Sequence, residues 1–295
     1  MLRIGIDFDN TIACYDRVFP KIATELGLLK ENNLTFKNDV KQKLLQQPDG
    51  DVLWQKLQGK VYGKYMLQAD IFPGFYEFLI LSKLRGNQIF IVSHKSEFGH
   101  FDEEKISLRE QAVKWMQKQG IISNDELSLK NNNIFFESTR LDKISRIKSL
   151  ECTHFIDDLS IVLTDFNFPN IDKIWFSNNF TASPDESIHT FSSWREIINY
   201  IYKFWTEEDI VKLTQNKFPE LKIKKANLKK GQGNSRTYKL IGEQQDYMLK
   251  IYPDRQHDPR PRIETEAITC QTLFSKNYAV PECIITNTHL GWGIY

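Results

Sequence analysis

The sequence predicts an α/β protein with a parallel sheet covered on both faces by helices, followed by a smaller α+β domain. Short apolar runs alternate with helical segments through about the first 205 residues, and this alternation is typical of a parallel sheet. Near Thr206 the composition changes to a lysine-rich run with a glycine-containing loop. We therefore expect one domain over residues 1–205 and a second over residues 206–295.

Five apolar runs predict the strands of the parallel sheet. Each run is short, and a helical segment or a turn signal separates it from the next one. The runs are Ile4–Ile6, Ile89–Val92, Ile134–Phe136, His154–Ile156 and Ile174–Phe176.

The helices between these strands have recognisable ends. Ser107 and Glu110 form a capping-box pattern before an apolar-periodic segment, and Gly120 fits the end of that helix. Residues 142–150 form a further predicted helix, and Ser193 caps a closing helix that runs to about Phe204.

A helical insertion follows the first strand. Between Thr11 and about Asp70 the apolar residues recur at helical spacing, and no strand pattern interrupts them. We therefore expect a small helical cap over about residues 15–72.

Composition and charge limit the classes of partner. The 295-residue chain is 41% hydrophobic and 26% charged with a net charge of +1, so no overall field favours nucleic acid or an anionic membrane. No apolar stretch approaches the roughly 20 residues of a membrane span. The first strand begins almost at Met1, and the four cysteines form no C-x-x-C pair. We expect a cytoplasmic protein with free thiols and with neither nucleic-acid nor membrane partners.

Polar side chains with matched chemistry occur at or near the ends of the predicted strands. Ligands of open α/β sheets gather at the carboxyl ends of strands, and paired acids there can hold a hard cation. In chain order the residues are Asp7, Asp9, Ser93, Lys143, Asp157 and Asp158.

This set supplies each role that phosphoryl transfer requires. Asp7 can attack phosphorus, and Asp9 can protonate the leaving alcohol and then activate water. Asp157 and Asp158 with Asp7 can hold Mg²⁺, which prefers oxygen ligands. A hydroxyl donor, Ser93, and a cation, Lys143, would hold and neutralise the transferred group.

The arrangement resembles the haloacid dehalogenase (HAD) superfamily over roughly residues 1–205. The four motifs of that family match D7-F-D-N-T11, the strand ending in S93-H-K, Lys143 and F-I-D157-D158. The resemblance implies a Rossmann-like sheet, a cap between the first two motifs, Asp7 as nucleophile and Asp9 as acid and base. It also implies phosphate contacts from Ser93 and Lys143, and metal ligation by Asp7, the main-chain carbonyl of Asp9, Asp157 and Asp158. An acid at the position of Asp9 is typical of the phosphatases of the family.

Several neighbouring residues have less specific interpretations. Lys148 replaces Lys143 if the helix starts later, and His94 is best interpreted as an ordinary hydrogen-bonded residue, with Lys95 beside it a weaker candidate than Ser93. The aromatic residues of the predicted cap are expected to pack the cap itself, with lining of a substrate pocket as the alternative. They are Trp54, Tyr62 and Tyr65.

Residues 221–295 resemble the N-terminal lobe of an aminoglycoside phosphotransferase-like or choline-kinase-like fold. Gly231 and Gly233 lie in a loop between predicted strands, Lys250 lies in Met-Leu-Lys-Ile, and Glu264 or Glu266 begins an apolar-periodic helix, with Glu266 preferred. The resemblance implies ATP phosphates under the loop and near Lys250. The loop lacks the third glycine of the kinase pattern, so a plain hairpin remains the alternative.

The sequence therefore predicts a Mg²⁺-dependent phosphatase that hydrolyses a small phosphorylated metabolite through an aspartyl phosphate. A phosphomutase, a nucleotide-binding fragment of a protein combining a HAD hydrolase with a small-molecule kinase, and an inactive scaffold are the alternatives. Kinase activity is not expected from these 295 residues, because the lobe that supplies the catalytic aspartates of such kinases is not among them.

Overall fold

The structure is a computed structural model, and it divides into two compact units. One unit comprises residues 1–75 and 86–193, and the other comprises residues 76–85 and 194–295. The division between residues 205 and 206 that the composition suggests stays a prediction. The residues that the structure describes are 1–29, 34–177, 183, 185–229, 235–253, 258, 260–288 and 291–295.

The first unit is built around a six-stranded sheet. Its strand order is β5-β4-β1-β6-β7-β8, and every neighbouring pair is parallel. The prediction of a parallel α/β sheet is therefore confirmed, and the five predicted strands all belong to it. The strands of this unit are β1 (Arg3–Ile6), β2 (Ala13–Cys14), β3 (Asp70–Ile71), β4 (Gln88–His94), β5 (Ile134–Glu137), β6 (His154–Asp157), β7 (Asp172–Phe176) and β8 (Ile188–Phe191).

The sixth strand, β8, was not predicted. Its sequence, I-H-T-F, contains no apolar run, and of its four residues only Ile188 is buried. An edge strand that is half exposed carries little of the apolar signal that marks a central strand.

Helices precede and follow the strands along the chain. The helix predicted after Ser107 begins at Leu108, and the Ser107 side chain accepts a hydrogen bond from the Glu110 amide. The first seven helices are α1 (Val18–Glu25), α2 (Lys37–Leu45), α3 (Gly50–Tyr62), α4 (Phe75–Leu84), α5 (Leu108–Lys118), α6 (Arg140–Ser149) and α7 (Ser160–Leu163).

One hydrophobic cluster of the first unit lies between the sheet and the helices α6 and α7. Ile144 and Ile147 of α6 pack with Phe155 of β6, and all three are essentially inaccessible to solvent. Gly5 permits the close approach of β1 and β6, because a Cβ there would lie 2.5 Å from the Phe155 ring. This packing fixes the central strand from which the first two acids emerge.

The segment between β1 and α4 forms the cap. It contains α1, α2, α3 and a short 3₁₀ helix, Met66–Gln68, and the antiparallel pair of β2 with β3 joins its two ends. Phe19 and Trp54 stack within it with ring centroids 5.0 Å apart. The predicted helical character of this insertion therefore agrees with the described residues.

The second unit contains an antiparallel five-stranded sheet with the order β12-β13-β11-β10-β9. Together with its helices this gives the α+β character that the sequence predicts. Besides α4, its elements are α8 (Trp194–Tyr202), α9 (Glu207–Lys217), β9 (Lys225–Lys229), β10 (Arg236–Ile241), β11 (Asp246–Ile251), α10 (Arg262–Phe274), β12 (Ile285–Asn287) and β13 (Trp292–Ile294).

Two further expectations concern cysteines and membrane spans. Cys14, Cys152, Cys270 and Cys283 are free thiols, as predicted. None of the helices in the described part of the chain has both the length and the apolar character that crossing a membrane requires.

Candidate functional site

The turn after β1 delivers the first two acids. The Asp7 amide donates a 2.8 Å hydrogen bond to the Ile156 carbonyl, so Asp7 continues the pairing of β1 with β6. Asn10 has a positive φ of 57°, and the amides of Ile12 and Ala13 both donate to the Phe8 carbonyl at 3.0 Å. This tight turn holds Asp7 and the residues that follow it at the carboxyl end of the sheet.

Three carboxylates converge at that end. Asp7 follows β1, while Asp157 and Asp158 come from the end of the adjacent strand β6, and one oxygen of each lies within 4.8 Å of the others. Asp157 is fully buried, and its Oδ1 atom accepts a 2.9 Å hydrogen bond from the Leu159 amide. The structure thus brings together the three side chains that the sequence assigns to a metal.

Lys143 lies inside this group of acids. Its Nζ atom is 2.6 Å from Oδ1 of Asp7 and 2.6 Å from Oδ2 of Asp157, and its side chain is buried. Burial alone would lower the pKa of Lys143, but the two carboxylates outweigh that effect and raise it. Lys148, the alternative from the sequence, is exposed.

Two of the acids, Asp7 and Asp158, are harder to ionise than usual. Burial raises the pKa of Asp7 to about 6 even though Lys143 acts to lower it. Burial, followed by the charges of Asp7 and Asp157, raises the pKa of Asp158 well above its ordinary value. One lysine against three carboxylates leaves an excess of negative charge that a bound cation would compensate.

The donor chemistry of this cluster fits a hard divalent cation. Its three side chains offer only carboxylate oxygens, the ligands that Mg²⁺ prefers, and neither histidine nor cysteine belongs to the group as described. Among the described residues the carboxylate of Asp9 is not part of the cluster, and metal ligation by the Asp9 main-chain carbonyl stays a prediction.

The Asp9 carboxylate has partners of its own. Lys95 donates from Nζ to Oδ2 at 2.7 Å and to Oδ1 at 3.0 Å, and the Tyr15 hydroxyl donates to Oδ1. The sequence ranks Lys95 below Ser93 and gives Tyr15 no role. A signal for Lys95 exists in the sequence, because extended residues two apart point to the same face. Ser93 lies in β4, and Lys95 directly follows the strand and continues its pairing with Glu137.

A cavity of about 710 Å³ opens over the acids. Asp7, Asp9, Ser93, Lys143 and Asp158 all line it, and Ser93 is buried near the end of β4. The cap supplies further lining residues, including Trp54 and Tyr62, for which the sequence favours packing within the cap and leaves lining of a pocket as the alternative. The lining residues that helices α2 and α3 of the cap contribute are Lys37, Asn38, Lys41, Trp54, Gln58 and Tyr62.

Lys37 connects the cap to the turn after β1. Its Nζ atom donates at 2.9 Å to Oδ1 of Asn10 and at 2.9 Å to the Tyr62 hydroxyl. Asn10 in turn donates from Nδ2 to Oδ2 of Asp158 at 3.1 Å. Burial would lower the pKa of Lys37, but Tyr62 and the nearby acids raise it. The sequence gives no signal for this contact, since helical periodicity does not place α2 over the turn.

The second unit places its predicted lysine and glutamate in contact. Lys250 of β11 donates from Nζ to Oε2 of Glu266 at 2.6 Å and to Oε1 at 2.9 Å, so Glu266 rather than Glu264 is the partner. Gly231 and Gly233 lie outside the described residues. The nucleotide-binding role of all four residues stays a prediction.

Comparison with known proteins gives limited information. No family model and no curated protein matches the chain. A HAD family hydrolase from Deinococcus radiodurans, solved with bound phosphate and sodium, is 15% identical with a TM-score of 0.40 and covers 68% of this chain and 95% of its own. A HAD hydrolase of family IA, variant 3, from Entamoeba histolytica is 14% identical with a TM-score of 0.37. That match covers 73% of this chain and 100% of the Entamoeba chain. TM-scores of this size do not establish a shared fold, so the site is interpreted from its own geometry.

Proposed function

We propose that the first unit is a Mg²⁺-dependent phosphatase that acts on a small phosphorylated metabolite through an aspartyl phosphate on Asp7. The observation that supports this function best is the convergence of Asp7, Asp157 and Asp158 beside Lys143, at a cavity that Asp7, Lys143 and Asp158 line. The motifs that resemble the HAD superfamily supply the same assignment independently of the geometry.

In the first step, a carboxylate oxygen of Asp7 attacks phosphorus, and the bond between phosphorus and the leaving alcohol oxygen breaks. Asp9 supplies the proton that the alcohol oxygen takes up. Ser93 and Lys143, which line the same cavity, hold the oxygens of the transferred group. When bound, Mg²⁺ would neutralise charge on the phosphoryl oxygens and would be held by Asp7, Asp157, Asp158 and the main-chain carbonyl of Asp9.

In the second step, Asp9 takes a proton from water, and the water oxygen attacks the phosphorus of the aspartyl phosphate. The bond from phosphorus to Asp7 breaks, which releases inorganic phosphate and restores the carboxylate. Lys37, which is also bonded to Tyr62 within the cap, holds the cap against Asn10 in the turn after β1, and the closed cap limits the access of water to the cavity.

The first experiment is hydrolysis of a panel of sugar, nucleotide and amino-alcohol phosphates by the purified protein with Mg²⁺ or with a chelator. We expect phosphate release that requires Mg²⁺ and that Asp7→Asn abolishes. Retention of Mg²⁺-dependent hydrolysis by Asp7→Asn would rule out the mechanism. Isomerised sugar phosphate in place of free phosphate would identify a phosphomutase instead.

A second function, binding of a nucleotide such as ATP by the second unit, has one specific observation in its favour. The paired Lys250 and Glu266 place a fixed ammonium beside the antiparallel sheet, a suitable contact for phosphate oxygens. We expect a fluorescent ATP analogue to bind, and Lys250→Ala to weaken binding about tenfold or more, while Lys239→Ala, at an exposed ion pair with Asp246, leaves binding unchanged. No detectable binding by the unaltered protein would remove this function.

A further inference from the structure

The Asp9 carboxylate, which lines the cavity, is held by hydrogen bonds at both of its oxygens. Both of its oxygens accept hydrogen bonds from Lys95, at 2.7 and 3.0 Å, and Oδ1 also accepts one from the Tyr15 hydroxyl. A side chain with both oxygens held has little rotational freedom about its terminal bond. Its orientation is therefore set by two residues from different parts of the fold.

Lys95 is itself fixed in place. Its side chain is only 2% exposed, its amide donates to the Glu137 carbonyl at 2.9 Å, and its carbonyl accepts from Arg109 at 2.9 Å. A buried ammonium needs an anion, and Asp9 is the acid within hydrogen-bond reach of Nζ among the residues that the structure describes.

Aromatic rings complete the surroundings of Lys95. The Nζ atom lies 5.3 Å from the centroid of the Phe8 ring and 5.0 Å from that of the Tyr62 ring. The faces of such rings attract a cation but cannot replace a hydrogen-bond acceptor. Because the rings on one side of the ammonium cannot accept its hydrogen bonds, the ammonium donates to the Asp9 carboxylate on the other side.

Tyr15 approaches Asp9 from the start of the cap. It is 1% exposed and follows β2 directly, and its ring contacts the Tyr62 ring edge to face with centroids 4.9 Å apart. Tyr62 thus contacts both residues that hold Asp9. One donor comes from the end of β4 and the other from the base of the cap.

We propose that Lys95 and Tyr15 are positioning residues that aim the Asp9 carboxyl group at the leaving-group oxygen. This inference rests on the proposed phosphatase function, in which Asp9 passes a proton to that oxygen while the bond to phosphorus breaks. Among the described residues Lys95 does not line the cavity, and Tyr15, which does, directs its hydroxyl to Asp9. Each acts through Asp9, and the effect of its loss depends on how much the leaving group needs the proton.

That dependence separates a positioning role from a structural one. The p-nitrophenolate ion leaves readily without protonation, whereas the more basic phenolate needs a correctly placed acid. Phenyl phosphate and p-nitrophenyl phosphate have similar shapes. In addition, kcat/KM reports the steps up to release of the first product. General damage to the site lowers kcat/KM for both esters alike, whereas misplacement of Asp9 lowers it mainly for phenyl phosphate.

The experiment measures kcat/KM for both esters with Mg²⁺ in the unaltered protein and in four variants: Lys95→Met, Tyr15→Phe, Asp9→Asn and Lys114→Met. We expect Lys95→Met to lower kcat/KM about 100-fold for phenyl phosphate and less than about tenfold for p-nitrophenyl phosphate. Tyr15→Phe, which removes only one hydroxyl, has the same preference with a loss of about tenfold for phenyl phosphate. Lys114 is an exposed lysine of α5, and its variant controls for the loss of a positive charge.

The possible results separate the positioning role of Lys95 and Tyr15 from the phosphatase mechanism itself. Equal losses for both esters in Lys95→Met and Tyr15→Phe, or losses no larger than those of Lys114→Met, overturn the positioning role. If Asp9→Asn still shows the selective loss in that case, the phosphatase mechanism stands without it. An unaltered protein that hydrolyses neither ester overturns the proposed function and the inference with it. If Lys95→Met does not fold, Tyr15→Phe alone decides the matter.

Discussion

The Nζ atom of Lys143 lies 2.6 Å from Oδ1 of Asp7, although 136 positions separate the two residues in the sequence. Asp7 comes from the central strand, and Lys143 comes from a helix that packs on the sheet. The contact places a positive charge against the proposed nucleophile. The same ammonium contacts Asp157, so it offsets part of the repulsion within the group of acids.

Removal of the Lys143 charge should destabilise the first unit. Lys143→Met leaves buried carboxylates without their cation, and the loss of one partner from a buried ion pair costs about 3–5 kcal/mol. We expect that decrease in the free energy of unfolding in a chelator, measured by urea denaturation. Lys148→Met, at an exposed position of the same helix, should change it by less than about 0.5 kcal/mol. Equal effects of both variants would contradict the role of Lys143.

Stability of the metal-free protein should depend on the protonation of Asp158. Its pKa is raised in the folded state by burial and by the charges of Asp7 and Asp157, so protonation of Asp158 stabilises the fold at low pH. This stabilisation is lost as the pH rises through the raised pKa. In a chelator, Asp158→Asn should therefore have a higher Tm than the unaltered protein at pH 8, with a difference that narrows towards pH 5.

Addition of Mg²⁺ should reverse that order. A cation that binds the acids stabilises the folded state of the unaltered protein, and a variant that has lost one ligand gains less. Differential scanning fluorimetry across pH, with and without Mg²⁺, measures both effects. A Tm of the unaltered protein that does not respond to Mg²⁺ at pH 8 would contradict the proposed metal site.

The second unit contains an ion pair that should matter for its stability. Arg85, which directly follows α4, donates from Nη2 to Oδ2 of Asp209 at 2.7 Å and also donates to the carbonyls of Tyr202 and Phe204. We expect Arg85→Met to lower the free energy of unfolding by about 1.5–3 kcal/mol, because hydrogen bonds between charged groups are lost. Lys212→Met, at an exposed helical ion pair with Glu208, is the matched control.

The sign of the pH dependence for this pair follows from Asp209. Burial would raise the pKa of Asp209, but hydrogen bonds from Arg85 and Thr206 lower it below its ordinary value. The stabilisation is present above the unfolded pKa and is lost as the pH falls through the folded pKa. The difference between the unaltered protein and Arg85→Met should therefore be constant from pH 5 to 7 and shrink below about pH 4.

Lys37 should affect the cap more than the sheet. Its hydrogen bonds join α2 to Asn10, so Lys37→Met should increase hydrogen exchange in Lys37–Leu45 and raise KM about tenfold. Lys56→Met, at an exposed position of α3, should do neither. Unchanged exchange in α2 would show that this contact does not hold the cap.

Much of the sheet could be predicted from the sequence because buried strands have an apolar signal. Ile4–Ile6 and Ile89–Val92 are such runs, and the acids and the serine that follow them lie at the carboxyl end of the sheet as expected. The choice of Lys143 over Lys148 depends on where α6 begins, because the start of the helix sets the direction of each side chain. The Thr139 side chain accepts a hydrogen bond from the Asp142 amide and fixes that start.

The contacts that could not be predicted join distant segments. Lys37 reaches Asn10 only because α2 packs over the turn, and periodicity within α2 does not contain that information. Tyr15 is similar, since an aromatic residue at the start of a cap is more often part of its packing. In the second unit, the helical register left Glu264 and Glu266 open, and the position of α10 relative to β11 selects Glu266.

The most direct test of the account is detection of the phosphoryl group on Asp7. The Asp9→Asn variant with Mg²⁺ and p-nitrophenyl phosphate should accumulate the aspartyl phosphate, since removal of the base slows its hydrolysis. Acid quenching, borohydride reduction and peptide mass spectrometry should then find homoserine at position 7 and an unmodified Asp157. Hydrolysis of the ester without any modification at Asp7, or with the modification on another residue, would contradict the central claim.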